Sequence, residues 1–202
     1  MNLNKIKDKN LNDLLSGLSS AIENIEREYF KLNLASEDGK DHFKYRERVY
    51  CYELYHQIRK SLGADYPYVI SGEVDKRDHP IITSNKNPDF VIHNPGNMKE
   101  NFVIMEVKNL TNFNNTKGKK DIKTFMTFFE ECNYQYAIYL IYGEKENKNK
   151  FQENRKKLKR KIKEELSKNE IKNKIVFVLW HNKVKNRPEN DIISLPKTRK
   201  IE

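Results

Sequence analysis

The sequence predicts an α/β fold: a central mixed sheet, opened by an antiparallel meander, held between helices. Three observations predict it. After an N-terminal helix, segments with helical and strand periods follow one another as helix, three strands, helix, strand, helix, strand. The stretches FVIMEV, YAIYLIY and IVFVLW are apolar on both alternating faces, as strands covered on two sides are. With 37% hydrophobic and 11% aromatic residues in 202, the chain can bury one full core but not two. Residues 1–202 therefore read as a single domain, with a helical extension over 1–40, a core over 41–182 and a C-terminal tail over 183–202.

Each element has its own signal. Leu11, Leu14, Leu15, Leu18, Ile22, Ile25 and Tyr29 recur at helical spacing and predict a helix over about residues 10–34, ended by the turn residues Ser36, Glu37, Asp38 and Gly39. A second helix is predicted from Phe43 to Leu62, with Phe43, Tyr50, Leu54, Ile58 and Leu62 as its apolar stripe and Gly63 as its stop. Tyr66 to Glu73, Asp89 to His93 and Phe102 to Lys108 predict three strands. The last two are joined by the turn Asn94, Pro95, Gly96, Asn97. A helix from about Lys119 to Cys132, a strand from Gln135 to Tyr142, a lysine-rich helix over Lys148 to Lys168 and a strand from Lys174 to His181 complete the core. Arg187 to Glu202, with two prolines and scattered charge, reads as a peripheral tail.

Composition bounds the function. Lys and Arg number 39 against 29 Asp and Glu, a formal charge of +10, which favours a polyanionic partner such as nucleic acid. Lysine is spread along the whole chain, so a solvated surface is the competing explanation. Cys51 and Cys132 are the two cysteines and form no CxxC, which excludes a disulfide framework and a cysteine-rich zinc site. A reducing, cytoplasmic setting fits that usage. The first residues contain no uninterrupted apolar segment, and the run Tyr136 to Tyr142 is too short to span a bilayer, so no membrane association is expected.

The chemistry is concentrated in the predicted hairpin. If its two strands are symmetric about a turn centred between Asn97 and Met98, Asp89 lies opposite Glu106, Val91 opposite Ile104 and His93 opposite Phe102. Directly opposed side chains have Cβ atoms about 5 Å apart, and two carboxylates at that distance repel unless a positive group lies between them. A hard divalent ion, Mg²⁺ or Mn²⁺, resolves this, because it is held by one or two carboxylates together with substrate oxygens. Lys108 falls on the same strand face as Glu106, while Val107 points the other way. On the preceding helix, Glu47 falls on the apolar stripe and Glu53 on the opposite side, so Glu47 is the candidate third acid and Glu53 its alternative.

These residues carry a resemblance. PDF at Pro88 to Phe90 and EVK at Glu106 to Lys108, on adjacent strands after a helix bearing an acid, resemble the PD-(D/E)XK nuclease superfamily, with its restriction-endonuclease-like α/β/α sandwich. The likeness covers roughly residues 41–145 in element order. It implies a metal-dependent phosphodiesterase acting on DNA, with restriction or defence as the role the analogy offers. Asp89, Glu106 and the Val107 carbonyl would then ligate Mg²⁺ or Mn²⁺, Lys108 would orient the attacking water, and Glu47 would serve as the helix acid, its buried charge compensated by the same metal. Homodimers are common among such enzymes, but no sequence mark of one is present. The competing class is a non-catalytic nucleic-acid-binding module that keeps the fold and has lost turnover. With 7 glycines and no GxGxxG or P-loop, a phosphate-cradling small-molecule enzyme is disfavoured.

Weaker candidates have structural readings beside them. Arg155, Lys156, Lys159 and Arg160 give one helix a basic face that could touch phosphates or simply be solvated. Glu73 to Lys76 reads as a strand end. Gln135 and Tyr139 form a QxxxY spacing read as structural, and Asp121 and Lys123, near a helix start, could line the cleft, with capping as the commoner role. His42, His56, His79, His93 and His181 show no metal-ligand spacing.

Overall fold

In the computed structural model, the described residues are 7–34, 42–72, 87–97, 99, 101–112, 115–145, 147–169, 171 and 173–194, with the backbone alone for 112 and 115–117. The chain begins with α1 (Lys9–Glu23), α2 (Arg27–Phe30), β1 (Leu32–Leu34) and β2 (His42–Lys44). The core follows: α3 (Glu47–Leu62), β3 (Val69–Gly72), β4 (Phe90–His93), β5 (Asn101–Asn109), α4 (Asn115–Glu131), β6 (Tyr136–Tyr142), α5 (Lys148–Lys168), β7 (Ile175–His181) and β8 (Glu189–Ser194). Strands β3 to β8 form one six-stranded sheet in sequence order, and β1 pairs with β2 in a separate ribbon. Pairing is antiparallel through β3, β4 and β5, parallel through β5, β6 and β7, and antiparallel again between β7 and β8. The predicted meander and mixed sheet are thus present, and the sheet does not close into a barrel.

Strand alternation divides the interior into two cores. Ile92, Val103, Met105, Val107, Ile138, Leu140, Phe177 and Leu179 pack under α1 and α3. Val91, Ile104, Ala137, Tyr139, Ile141, Val176, Val178 and Trp180 pack under α4 and α5. On α1, capped by Asp8 accepting from the Leu11 N–H at 3.1 Å, the leucine stripe is buried as its spacing predicts. Gly17 lets α1 and α3 approach closely, since a Cβ there would meet Leu62 Cδ2 at 2.6 Å. α3 stops at Gly63, whose φ of 72° suits glycine.

Four expectations need correction. The N-terminal helix does not run from 10 to 34: it ends at Glu23, where the Asn24 N–H folds back onto Ser20 and Ala21. No glycine or proline marks that end, and Ile25 and Phe30 are buried without belonging to it, so apolar spacing alone extended it too far. The second helix starts at Glu47 rather than Phe43; Phe43 lies in β2 and is 39% exposed. His93 pairs with Asn101, not Phe102, because the register slips between Ile92 and His93. The stretch from Arg187 holds a strand, β8, where only a tail was expected. Its inward position opposite Val178 is Asp191, which accepts from Arg155 Nε at 2.6 Å and Lys159 Nζ at 2.9 Å, so a charge occupies the place where an apolar residue would have marked the strand. The turn residues Ser36 to Gly39 and the segment Glu73 to Lys76 lie outside the described residues, as does His79.

Candidate active site

The centre is built where β4, β5, α3 and α4 meet. Pairing of Phe90 with Met105 and Val91 with Ile104 fixes the hairpin register, and continuing it one step sets Asp89 against Glu106. Pro88 has no N–H to give the ladder, and Asp89 follows it at the open end of β4. The Asp89 carboxylate takes over a ladder role: its Oδ2 accepts the Val107 N–H at 2.6 Å. Glu106, 6% exposed, faces Asp89 across the strand pair. Val107 points to the other face, fully buried.

Lys108 shares the face of Glu106 one step along the strand. Its Nζ donates to Glu47 Oε1 at 2.8 Å and lies 3.9 Å from Asp121 Oδ2. Glu47 is the first residue of α3, where a carboxylate also suits the positive end of the helix. Its second oxygen accepts the Asn109 N–H at 3.3 Å. The compensation for Glu47 is therefore a lysine and a backbone N–H, whereas the sequence had offered only a metal. Glu53 lies on the outer part of α3 and accepts from Gln57 Nε2 at 2.7 Å, away from these groups.

Asp121 is the residue that sequence reasoning undervalued. α4 begins at Asn115, so Asp121 sits in its second turn rather than at a cap. It is 7% exposed and accepts the Tyr139 hydroxyl proton at 2.7 Å. Its partners Lys108 and Tyr139 are adjacent only once β5 and β6 pair.

Four carboxylates thus surround one ammonium. Burial above all, opposed by the hydrogen bond from the Val107 N–H and reinforced by Glu47, raises Asp89 to about 6. Burial, then Asp89 and Asp121, push Glu106 well above the usual carboxylate range. Burial also raises Asp121, opposed by Tyr139 and Lys108. For Lys108, burial acts downward, but the Glu47 hydrogen bond and the surrounding acids outweigh it and the ammonium is held more firmly than usual. The pattern is that of carboxylates outnumbering the cations beside them. Among the described residues no group of three or more His, Cys, Asp or Glu side chains is arranged to hold a metal ion.

The weaker candidates separate. Arg155 and Lys159 are tied to Glu189 and Asp191 of β8, and Arg160 lies 3.5 Å from Glu164 on its own helix; Lys156 is exposed. Gln135 joins the strand network through its N–H to Phe102 O, and His181 is buried against Tyr50 at 2.9 Å. Past the end of β5, Leu110 and Thr111 join Lys145, Asn147 and Lys150 around a cleft of about 240 Å³. No helix among the described residues is long and apolar enough to cross a membrane. No family model, curated protein or solved structure matches this chain.

Proposed function

We propose that the chain is a metal-dependent nuclease of the PD-(D/E)XK kind, hydrolysing phosphodiester bonds in DNA. The observation that carries the reading is the opposition of two acids, half-buried Asp89 and buried Glu106, with Lys108 beside them on the same face. Structural ion pairs match charge with charge, whereas this cluster has carboxylates in excess. The donor set fits a hard ion, so Asp89 and Glu106 would hold Mg²⁺ or Mn²⁺. Bound there, such an ion neutralises charge gathering on a phosphate and acidifies a water molecule.

The protein's own residues account for the rest. Lys108 presents a protonated Nζ that can donate to a substrate oxygen or hold a water in line with the phosphorus. Glu47 positions that ammonium, and Asp121, fixed by Tyr139, limits its swing on the other side. The net charge of +10 favours approach of a polyanion. The test is incubation of the pure protein with plasmid and oligonucleotide substrates in Mg²⁺, Mn²⁺ or EDTA. Cleavage that requires metal supports the reading, and binding without cleavage in every condition replaces it with a non-catalytic module.

A further inference from the structure

The outer face of α3 carries a regular pattern that the acid cluster does not use. Arg48, Tyr52, Tyr55 and Arg59 are spaced by four, three and four residues, and at about 100° per residue they fall within one narrow stripe. All four are exposed; Tyr52 is 62% and Tyr55 37% accessible. A solvent-facing helix stripe ordinarily carries charged residues, yet this one holds two phenol rings, of which Tyr52 is largely open to solvent and Tyr55 covers Phe90 with part of its surface. The Tyr55 ring lies parallel to Phe90, at 2° and 6.4 Å between centroids, on the sheet face opposite the one that carries Asp89, and the stripe approaches the acids through the start of α3. Glu47, at the start of the same helix, is one residue before Arg48.

We propose that this stripe binds unpaired nucleic acid, with bases stacking on Tyr52 and Tyr55 and phosphates meeting the guanidinium groups of Arg48 and Arg59. The inference deepens the nuclease reading and rests on it for the direction in which the strand leaves the acids. Exposed aromatic faces alternating with cations are what a single strand uses, since its bases offer open π-faces and its phosphates a regular negative charge. A duplex hides those faces inside its stack, so the rings would gain little from it. The charge on the stripe complements a polyanion, and the rings give no means of reading sequence, so binding should depend little on base identity.

The experiment measures fluorescence anisotropy of a short labelled oligo-dT strand, and of a duplex of the same length, in EDTA so that no cleavage occurs. The wild type is expected to bind the single strand more tightly. Tyr52→Ala should weaken binding about five-fold or more, Tyr52→Phe should restore it, and Arg59→Ala should weaken it and flatten its salt dependence. Tyr52 is exposed, so its removal leaves the fold intact; circular dichroism checks this. Failure of the wild type to bind, equal preference for duplex, or unchanged binding by Tyr52→Ala each overturns the assignment. A dimer in sedimentation that Tyr52→Ala converts to monomer overturns it too, giving the stripe to a second copy of the chain. Cleavage separates the two readings: a wild type that binds strands and never cuts sinks the nuclease and keeps the surface, whereas metal-dependent cutting with unaltered Tyr52→Ala binding does the reverse.

Discussion

Lys108 Nζ stands 2.8 Å from Glu47 Oε1, joining the middle of the central sheet to the first residue of a helix 61 positions earlier in the chain. The cation of the site is therefore positioned by an acid and is not free to wander among the other three carboxylates.

Lys108→Ala should lower metal-dependent cleavage by at least about a hundred-fold, the scale on which a positioned proton donor acts. Because Lys108 ligates nothing, the rise in melting temperature caused by Mn²⁺ should persist in the variant. Cleavage at the wild-type rate would remove the lysine from the mechanism.

Glu47→Gln and Glu53→Gln should behave differently. Glutamine at 47 still offers an oxygen to the Asn109 N–H but loses the charge that holds Lys108, so cleavage falls well below wild type and the metal-free protein becomes slightly less stable. At position 53 the change touches only a hydrogen bond to Gln57 on the outside of the helix and should alter cleavage little. Rates at saturating Mn²⁺, with circular dichroism as control, decide it; an inactive Glu53→Gln beside an active Glu47→Gln would reverse the roles.

Acid titration should reveal Asp89. Burial above all raises it from its ordinary 3.8 to about 6, so between those values the folded protein holds a proton that the unfolded chain has released. Stability in EDTA should fall as pH rises through that window, and the whole loss is in place above about pH 6. Asp89→Asn removes this group's contribution, so the variant gains on the wild type as pH rises. Urea midpoints at the two ends of the window provide the measurement, and a wild type that keeps pace with the variant refutes the expectation.

Metal should add stability through the same pair. A ligand that binds only the folded state at about a hundred times its Kd contributes about 2.7 kcal/mol. For a chain of this size that corresponds to about 5–10 °C in melting temperature. Asp89→Asn should shift much less, and equal shifts in the two proteins would place the metal elsewhere.

The hairpin was legible because a short polar turn and two apolar runs leave few registers, and the Asp89 to Glu106 opposition follows from the turn's midpoint alone. The order of core elements was legible for the same reason: β6, α5 and β7 have uninterrupted periodic signals. What escaped lacked a local mark. The bend after Glu23 uses neither glycine nor proline, and β8 hides its alternation behind Asp191. Glu47 was reached through a helix drawn one turn too long, and its true partner, Lys108, sits on a strand no helical wheel contains. Asp121 belongs to no motif, and only the parallel pairing of β5 with β6 brings it beside Lys108 and Tyr139.

At the far margin of the sheet, β8 pairs with β7 on one side and with no other strand among the described residues on its other side. Such an edge is a template on which strands of separate molecules can assemble into aggregates. Asp191, turned inward and clasped by Arg155, Lys159 and the Trp180 indole N–H, resists this growth. A flat apolar edge would accept an incoming strand readily, but here a stacked second copy would bring like carboxylates into register. The inward charge that concealed the strand from its sequence is thus of the kind that discourages strand addition at this edge of the sheet, whose opposite edge is β3.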